Sequence, residues 1–94
     1  MGVNKVSPGK GTPLHSHTAP EVFMVLSSTC AFVWGDKGEN EAILRQWDTI
    51  SFPAGVKEGF RSVGEEETVL LVVLGASEVG EVTIDQSAQP GATA

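Results

Sequence analysis

Tyrosine is missing from this 94-residue chain, cysteine occurs once, and lysine and arginine together number six. Each shortage removes a class of protein. With Cys30 alone no intrachain disulfide can form, so the main sequence argument for an oxidising compartment is lost, and the thiol reads as a small buried hydrophobe. The cations Lys5, Lys10, Lys37, Arg45, Lys57 and Arg61 are scattered singly among twelve carboxylates, and the net charge is −6. Such a surface repels phosphate backbones and anionic lipid, which argues against nucleic acid or a membrane as partner. The longest apolar run, residues 69–74, is too short to cross a bilayer, and Met1 leads into a polar segment with no hydrophobic signal core. A cytoplasmic protein is the expectation.

Helical periodicity is also lacking: no stretch of ten or more residues repeats at 3.6 without a breaker. Short apolar or alternating segments recur instead, at residues 3–6, 14–17, 21–26, 31–34, 42–44, 49–52, 60–63, 68–74 and 79–84. Between them stand "SPGKGTP", "HTAP", "GDKGEN", "PAG", "VGEEE" and "GASEVG", whose Gly, Pro, Asn and Asp suit turns. The spacing predicts an all-β fold. "EVFMVL" and "TVLLVVL" are apolar at successive positions and rich in branched side chains, so both faces of those two strands are expected to be covered by protein, as in a sandwich or barrel. One domain over residues 1–85 accounts for the pattern. Residues 86–94, small and polar, read as a flexible tail.

"PLHSHTAPEVFMV" holds the chemistry. Side chains alternate along a strand, so His15 and His17 point the same way and can offer two imidazoles to one ion. A tight turn brings Glu21 alongside. Two imidazoles and a carboxylate form a facial triad with open positions, suited to iron and usable by zinc or manganese. On spacing alone a solvated His-x-His pair explains the stretch equally well.

The wider pattern resembles the cupin superfamily. Gly9, His15, His17 and Glu21 follow that family's first motif, and Pro53 and Gly55 fill the Pro-x-Gly turn of the second. The resemblance runs from residue 9 to about residue 75. It implies a double-stranded β-helix, a jelly-roll barrel with a divalent transition metal (Fe, Mn or Zn) inside its wider mouth. Four positions depart from the family pattern: Glu58 stands where the second motif has its histidine, Ser62 where it has asparagine, and Ser28 and Trp47 where glycines are usual. Glu58 then has three courses open. It can be a fourth ligand that favours harder ions, an outward partner of Lys57 or Arg61, or a neighbour that only raises the histidine pKa values. Ser28 and Trp47 either take other backbone conformations or carry strain at positive φ.

Of the aromatic residues, Phe60, two positions beyond Glu58 on one strand face, is the candidate for a substrate pocket wall, and the rest read as core. Glu65, Glu66 and Glu67 read as a solvated turn. A short barrel leaves edge strands and apolar faces exposed, and a homodimer is expected. Two functions stay open. One is a metal-dependent enzyme acting on a small organic molecule as oxygenase, isomerase or decarboxylase, with Glu58 as ligand or general base. The other is a non-catalytic barrel for small-molecule binding or oligomerisation, with a degenerate metal site.

Overall fold

The computed structural model describes residues 1–75 and 82–84. Its strands are β1 (Gly2–Val6), β2 (Gly11–His17), β3 (Glu21–Ser27), β4 (Cys30–Trp34), β5 (Asn40–Leu44), β6 (Thr49–Phe52), β7 (Glu58–Ser62), β8 (Thr68–Leu74) and β9 (Val82–Ile84). No helix occurs among the described residues, so none is long and apolar enough to cross a membrane. The expected segments are all present as strands, with shifted ends: β2 starts at Gly11 and β7 at Glu58. Residues 79–81 and 86–94 lie outside the described residues.

Two antiparallel sheets face each other, one in the order β1-β8-β3-β6 and the other β5-β4-β7-β2-β9. Apart from the β4–β5 hairpin, successive strands from β2 onward change sheets, the winding of a jelly roll. This crossing puts the histidines of β2 on one wall and Glu21 of β3 on the other.

Apolar side chains of both inner faces meet in a core of Phe23, Val25, Cys30, Phe32, Leu44, Phe52, Phe60, Leu70 and Val72. The phenylalanines stack edge-on or tilted, with Phe23 and Phe32 at 5.1 Å and Phe32 and Phe60 at 5.7 Å between centroids. Cys30 is fully buried and its thiol is pushed up to about 12 by desolvation, which leaves it unreactive. Where the family pattern has asparagine, Ser62 bonds instead to the Thr68 hydroxyl at 2.7 Å, and Thr68 donates to the Thr29 carbonyl at 3.0 Å. Those buried hydroxyls are paired in series.

Ser28 and Trp47 keep the backbone that glycine would supply, at φ 68° and 75°. Local bonds hold both. The Ser28 hydroxyl donates to the Glu66 carbonyl at 2.9 Å, and Trp47 donates its N–H to the Val25 carbonyl at 2.7 Å while Val25 N–H reaches Asp48. The turns are thus retained with strain rather than rebuilt.

One expectation is met on one side only among the described residues. β3 and β8 are not covered on both faces among the described residues: their burial alternates along each strand, and Val73 is 39% exposed. Among the described residues only the inward face of these two strands packs against a second sheet.

Candidate metal centre

β2 meets β7 through an irregular ladder. Thr12 pairs with Phe60 and His15 with Glu58, so three steps along β2 match two along β7, and a bulge takes up the extra residue. Thr12 and His15 stand an odd number of residues apart and in a regular strand would face opposite ways. The bulge turns His15, and His17 two residues on, to the same interior as Thr12 and Phe60. Gly11 allows the close approach below it, since a Cβ there would run into the Phe60 carbonyl oxygen.

The two halves of the site are joined by backbone. Gly55, at φ 85° in the Pro-x-Gly turn, donates its N–H to the His17 carbonyl at 2.8 Å. That bond fixes the entry of β7, and hence Glu58, against the histidine strand. Across the barrel, Glu21 stands in register with Phe52 of β6 and Leu74 of β8.

His15, His17, Glu21 and Glu58 converge so that one ligand atom from each lies within 4.8 Å of all the others. The imidazole centroids of His15 and His17 are 4.6 Å apart and nearly perpendicular. His15 Nδ1 is 2.7 Å from the Pro13 carbonyl, which selects the tautomer protonated there and leaves Nε2 as a free lone pair. His17 Nε2 is 3.3 Å from Glu21 Oε1. That contact lacks hydrogen-bond alignment, because both His17 nitrogens, Glu21 Oε1 and Glu58 Oε1 are buried without a hydrogen-bond partner.

Electrostatics follow from that crowding. Burial, then the hydrogen bond and the negative charge of Glu21, push Glu58 up to about 10, so without a cation it holds its proton at neutral pH. Burial lowers His17 below the usual imidazole range, the Glu21 carboxylate opposes that, and His15 adds to it. Glu58 is 3% exposed and turned to Glu21, which rules out an outward pairing with Lys57 or Arg61. Orphaned acceptors and a lone pair aimed at one point fit a divalent cation, which would satisfy them together.

Phe60 lies deeper on β7. It packs on Phe23 and Phe32 and also borders a cavity of about 460 Å³ between β1 and β2, with Asn4, Lys10 and Thr12. A smaller cavity of about 320 Å³ opens onto Glu21 past Gly2 and Asn4. Glu65, Glu66 and Glu67 lie in the β7–β8 connection, away from the cluster. The sequence reading did not single out Pro13, whose carbonyl orients His15, or Trp34, the β4 partner of Glu58. A proline beside the histidine pair was the available signal for the first; strand pairing, which a sequence does not display, was needed for the second.

A family model described as "Cupin domain" matches residues 2–74. The chain is a cupin. Among solved structures, this cupin is similar to a double-stranded β-helix protein from Klebsiella pneumoniae (TM-score 0.78, 19% identity, covering 89% of this chain and 71% of that one). It is also similar to an oxalate oxidase (0.75, 24%, 87% and 43%) and to the DMSP lyase DddQ from Ruegeria pomeroyi (0.73, 21%, 87% and 40%). These likenesses concern the fold. The cupin spans less than half the length of the oxidase and lyase chains. No functionally curated protein matched it in sequence.

Proposed function

We propose that this cupin binds one divalent transition metal through His15, His17 and Glu21, with Glu58 as a fourth ligand, and acts there on a small organic molecule. The observation that carries the reading is the set of buried, partnerless nitrogen and oxygen atoms converging from both sheets. Mn²⁺ and Fe²⁺ suit two imidazoles and two carboxylates, and Zn²⁺ suits the set less well as carboxylates replace nitrogen. When bound, the ion would act as a Lewis acid or redox centre, as in oxygenase, isomerase or decarboxylase chemistry.

The chain's own residues have definable tasks in this reading. His15 is held in one tautomer by Pro13, so its Nε2 is pre-aimed. Glu58 holds its proton until a cation arrives and gives it up on ligating, so loading of the site is coupled to proton release. Phe60 and Phe52 supply an apolar floor that excludes water. Oxalate oxidase and DMSP lyase, named for small organic substrates, lend support to that ligand class. The buried lone thiol suits a reducing, cytoplasmic setting.

Metal analysis of protein purified without an affinity tag or added ions tests the reading. One transition-metal ion per chain is the expected result. No binding, even after incubation with Mn²⁺, Fe²⁺ and Zn²⁺ in turn, would overturn it in favour of a non-catalytic barrel.

A further inference from the structure

On one side of the barrel the seam between the two sheets is open. β9 pairs with β2 at His15, Ser16 and His17, so among the described residues the lower end of β2, at Gly11 and Thr12, has β7 as its one neighbour. Across the gap stands β1, the outer strand of the other sheet. The cavity of about 460 Å³ lies along this seam and has the size of a small-molecule site. Its lining differs from the rest of the molecule. Carboxylates outnumber lysine and arginine by twelve to six in the chain, yet Lys5 and Lys10 both border this cavity and no carboxylate does. Neither ammonium forms an ion pair among the described residues. Thr12, on the same lining, has its Oγ1 buried without a hydrogen-bond partner, and Val3, Val6 and Phe60 supply an apolar side.

We propose that this seam binds a small organic carboxylate with an apolar body, its oxygens held by the Lys5 and Lys10 ammoniums and the Thr12 hydroxyl and its body laid against Phe60, Val3 and Val6. Two unpaired cations in a chain of net charge −6 select an anion, and each can make charge-assisted hydrogen bonds to it. The orphaned hydroxyl gains the acceptor that the protein does not give it, which removes the cost of burying it alone. Burial of an organic body against the valines and Phe60 adds a contribution that a bare ion lacks. Inorganic phosphate finds neither an arginine fork nor a helix N-terminus on this lining.

This site does not depend on the metal reading. None of His15, His17, Glu21 and Glu58 lines the cavity. A carboxylate should therefore bind the seam when the metal centre is empty, and the metal-free chain separates the two proposals.

Benzoate is the probe, titrated into chelator-treated protein and followed by backbone amide NMR. Saturable shifts centred on Lys5, Gly11, Thr12 and Phe60 are expected. Benzyl alcohol, which keeps the ring without the charge, and inorganic phosphate, which keeps charge without the ring, should each bind at least tenfold more weakly. Lys5→Gln/Lys10→Gln should weaken benzoate binding at least tenfold. Arg45→Gln, which removes one cation from the β5–β6 turn, should leave it unchanged. Thr12→Val keeps the shape of the side chain and should weaken binding several-fold without loss of stability, and Thr12→Ser should restore it. Absence of saturable binding, shifts centred on His15 and His17, benzyl alcohol or phosphate binding as tightly as benzoate, indifference to the lysine or Thr12→Val changes, or equal weakening by Arg45→Gln would each overturn the proposal.

Discussion

The floor of the barrel and its mouth bury polar groups under opposite rules. On the floor, Ser62, Thr68 and the Thr29 carbonyl form a paired series beside close-packed phenylalanines. At the mouth, two imidazoles and two carboxyls crowd within 4.8 Å with several atoms unpartnered. A protein that can satisfy buried hydroxyls in one place has the means to do so elsewhere. The unpaired mouth is therefore a sign of function, since leaving such groups orphaned costs about 1–3 kcal/mol each.

That contrast can be broken first at the floor. Phe32 is fully buried, and Phe32→Ala should cost about 3–5 kcal/mol of stability by urea unfolding. A cost under about 1 kcal/mol would mean that the aromatic cluster is not the mechanical centre of the barrel. At the mouth the result should be reversed in kind. His15→Ala or His17→Ala should lower metal affinity at least a hundredfold, about 2.7 kcal/mol, by titration with Mn²⁺, while the metal-free chain loses little stability. If the double variant still binds one ion per chain, the centre lies elsewhere.

Protonation sharpens the comparison at a smaller scale. The Glu58 carboxyl titrates near 10 in the folded chain, well above its ordinary value of 4.5, so above pH 4.5 the folded state holds a proton that the unfolded state has lost. Stability of the metal-free chain should consequently fall as pH rises. His17 works in the opposite sense, losing stability as pH falls below 6.5, and Cys30 contributes only above pH 9. Between about pH 6.5 and 8.5 the Glu58 slope stands alone, at up to about 1.4 kcal/mol per pH unit. Chelator-treated wild type should show it in urea titrations and Glu58→Gln should not; equal slopes would place the proton on another group. Calorimetry in buffers of different ionisation heat gives a companion test. Binding of Mn²⁺ at pH 7 should release about one proton more from wild type than from Glu58→Gln if the carboxylate ligates.

The smallest effect returns to the floor. Ser62→Ala removes one hydroxyl of the paired series, yet Thr68 still has the Thr29 carbonyl as acceptor, so the loss should be about 1 kcal/mol in thermal or urea unfolding. A loss above about 3 kcal/mol would mean that the series acts as a cooperative unit.

Much of this was legible in the chain. Turn residues and period-two runs locate the strands, and motif spacing marks His15, His17, Glu21 and Glu58. What stayed hidden was relational. The apolar runs of β3 and β8 showed two faces in need of cover, and among the described residues the second sheet packs on one of them. Ser28 and Trp47 allowed two backbone outcomes, and hydrogen bonds from residues distant in sequence chose the strained one. For Glu58, inward and outward placement differ by pairing with His15 and Trp34, contacts made by β7 and not written in "VKEGF".

The bulge between Thr12 and His15 carries a wider consequence, best put as phase. A regular strand is a single wave: once one residue is assigned to the interior, the orientation of every other is settled. β2 contains a half-period slip, so its lower part keeps phase with the phenylalanine floor and its upper part with the ligand cluster. Packing demands below and ligand demands above are thereby uncoupled, and residues 11–12 can drift with the core without rotating the imidazoles out of the barrel.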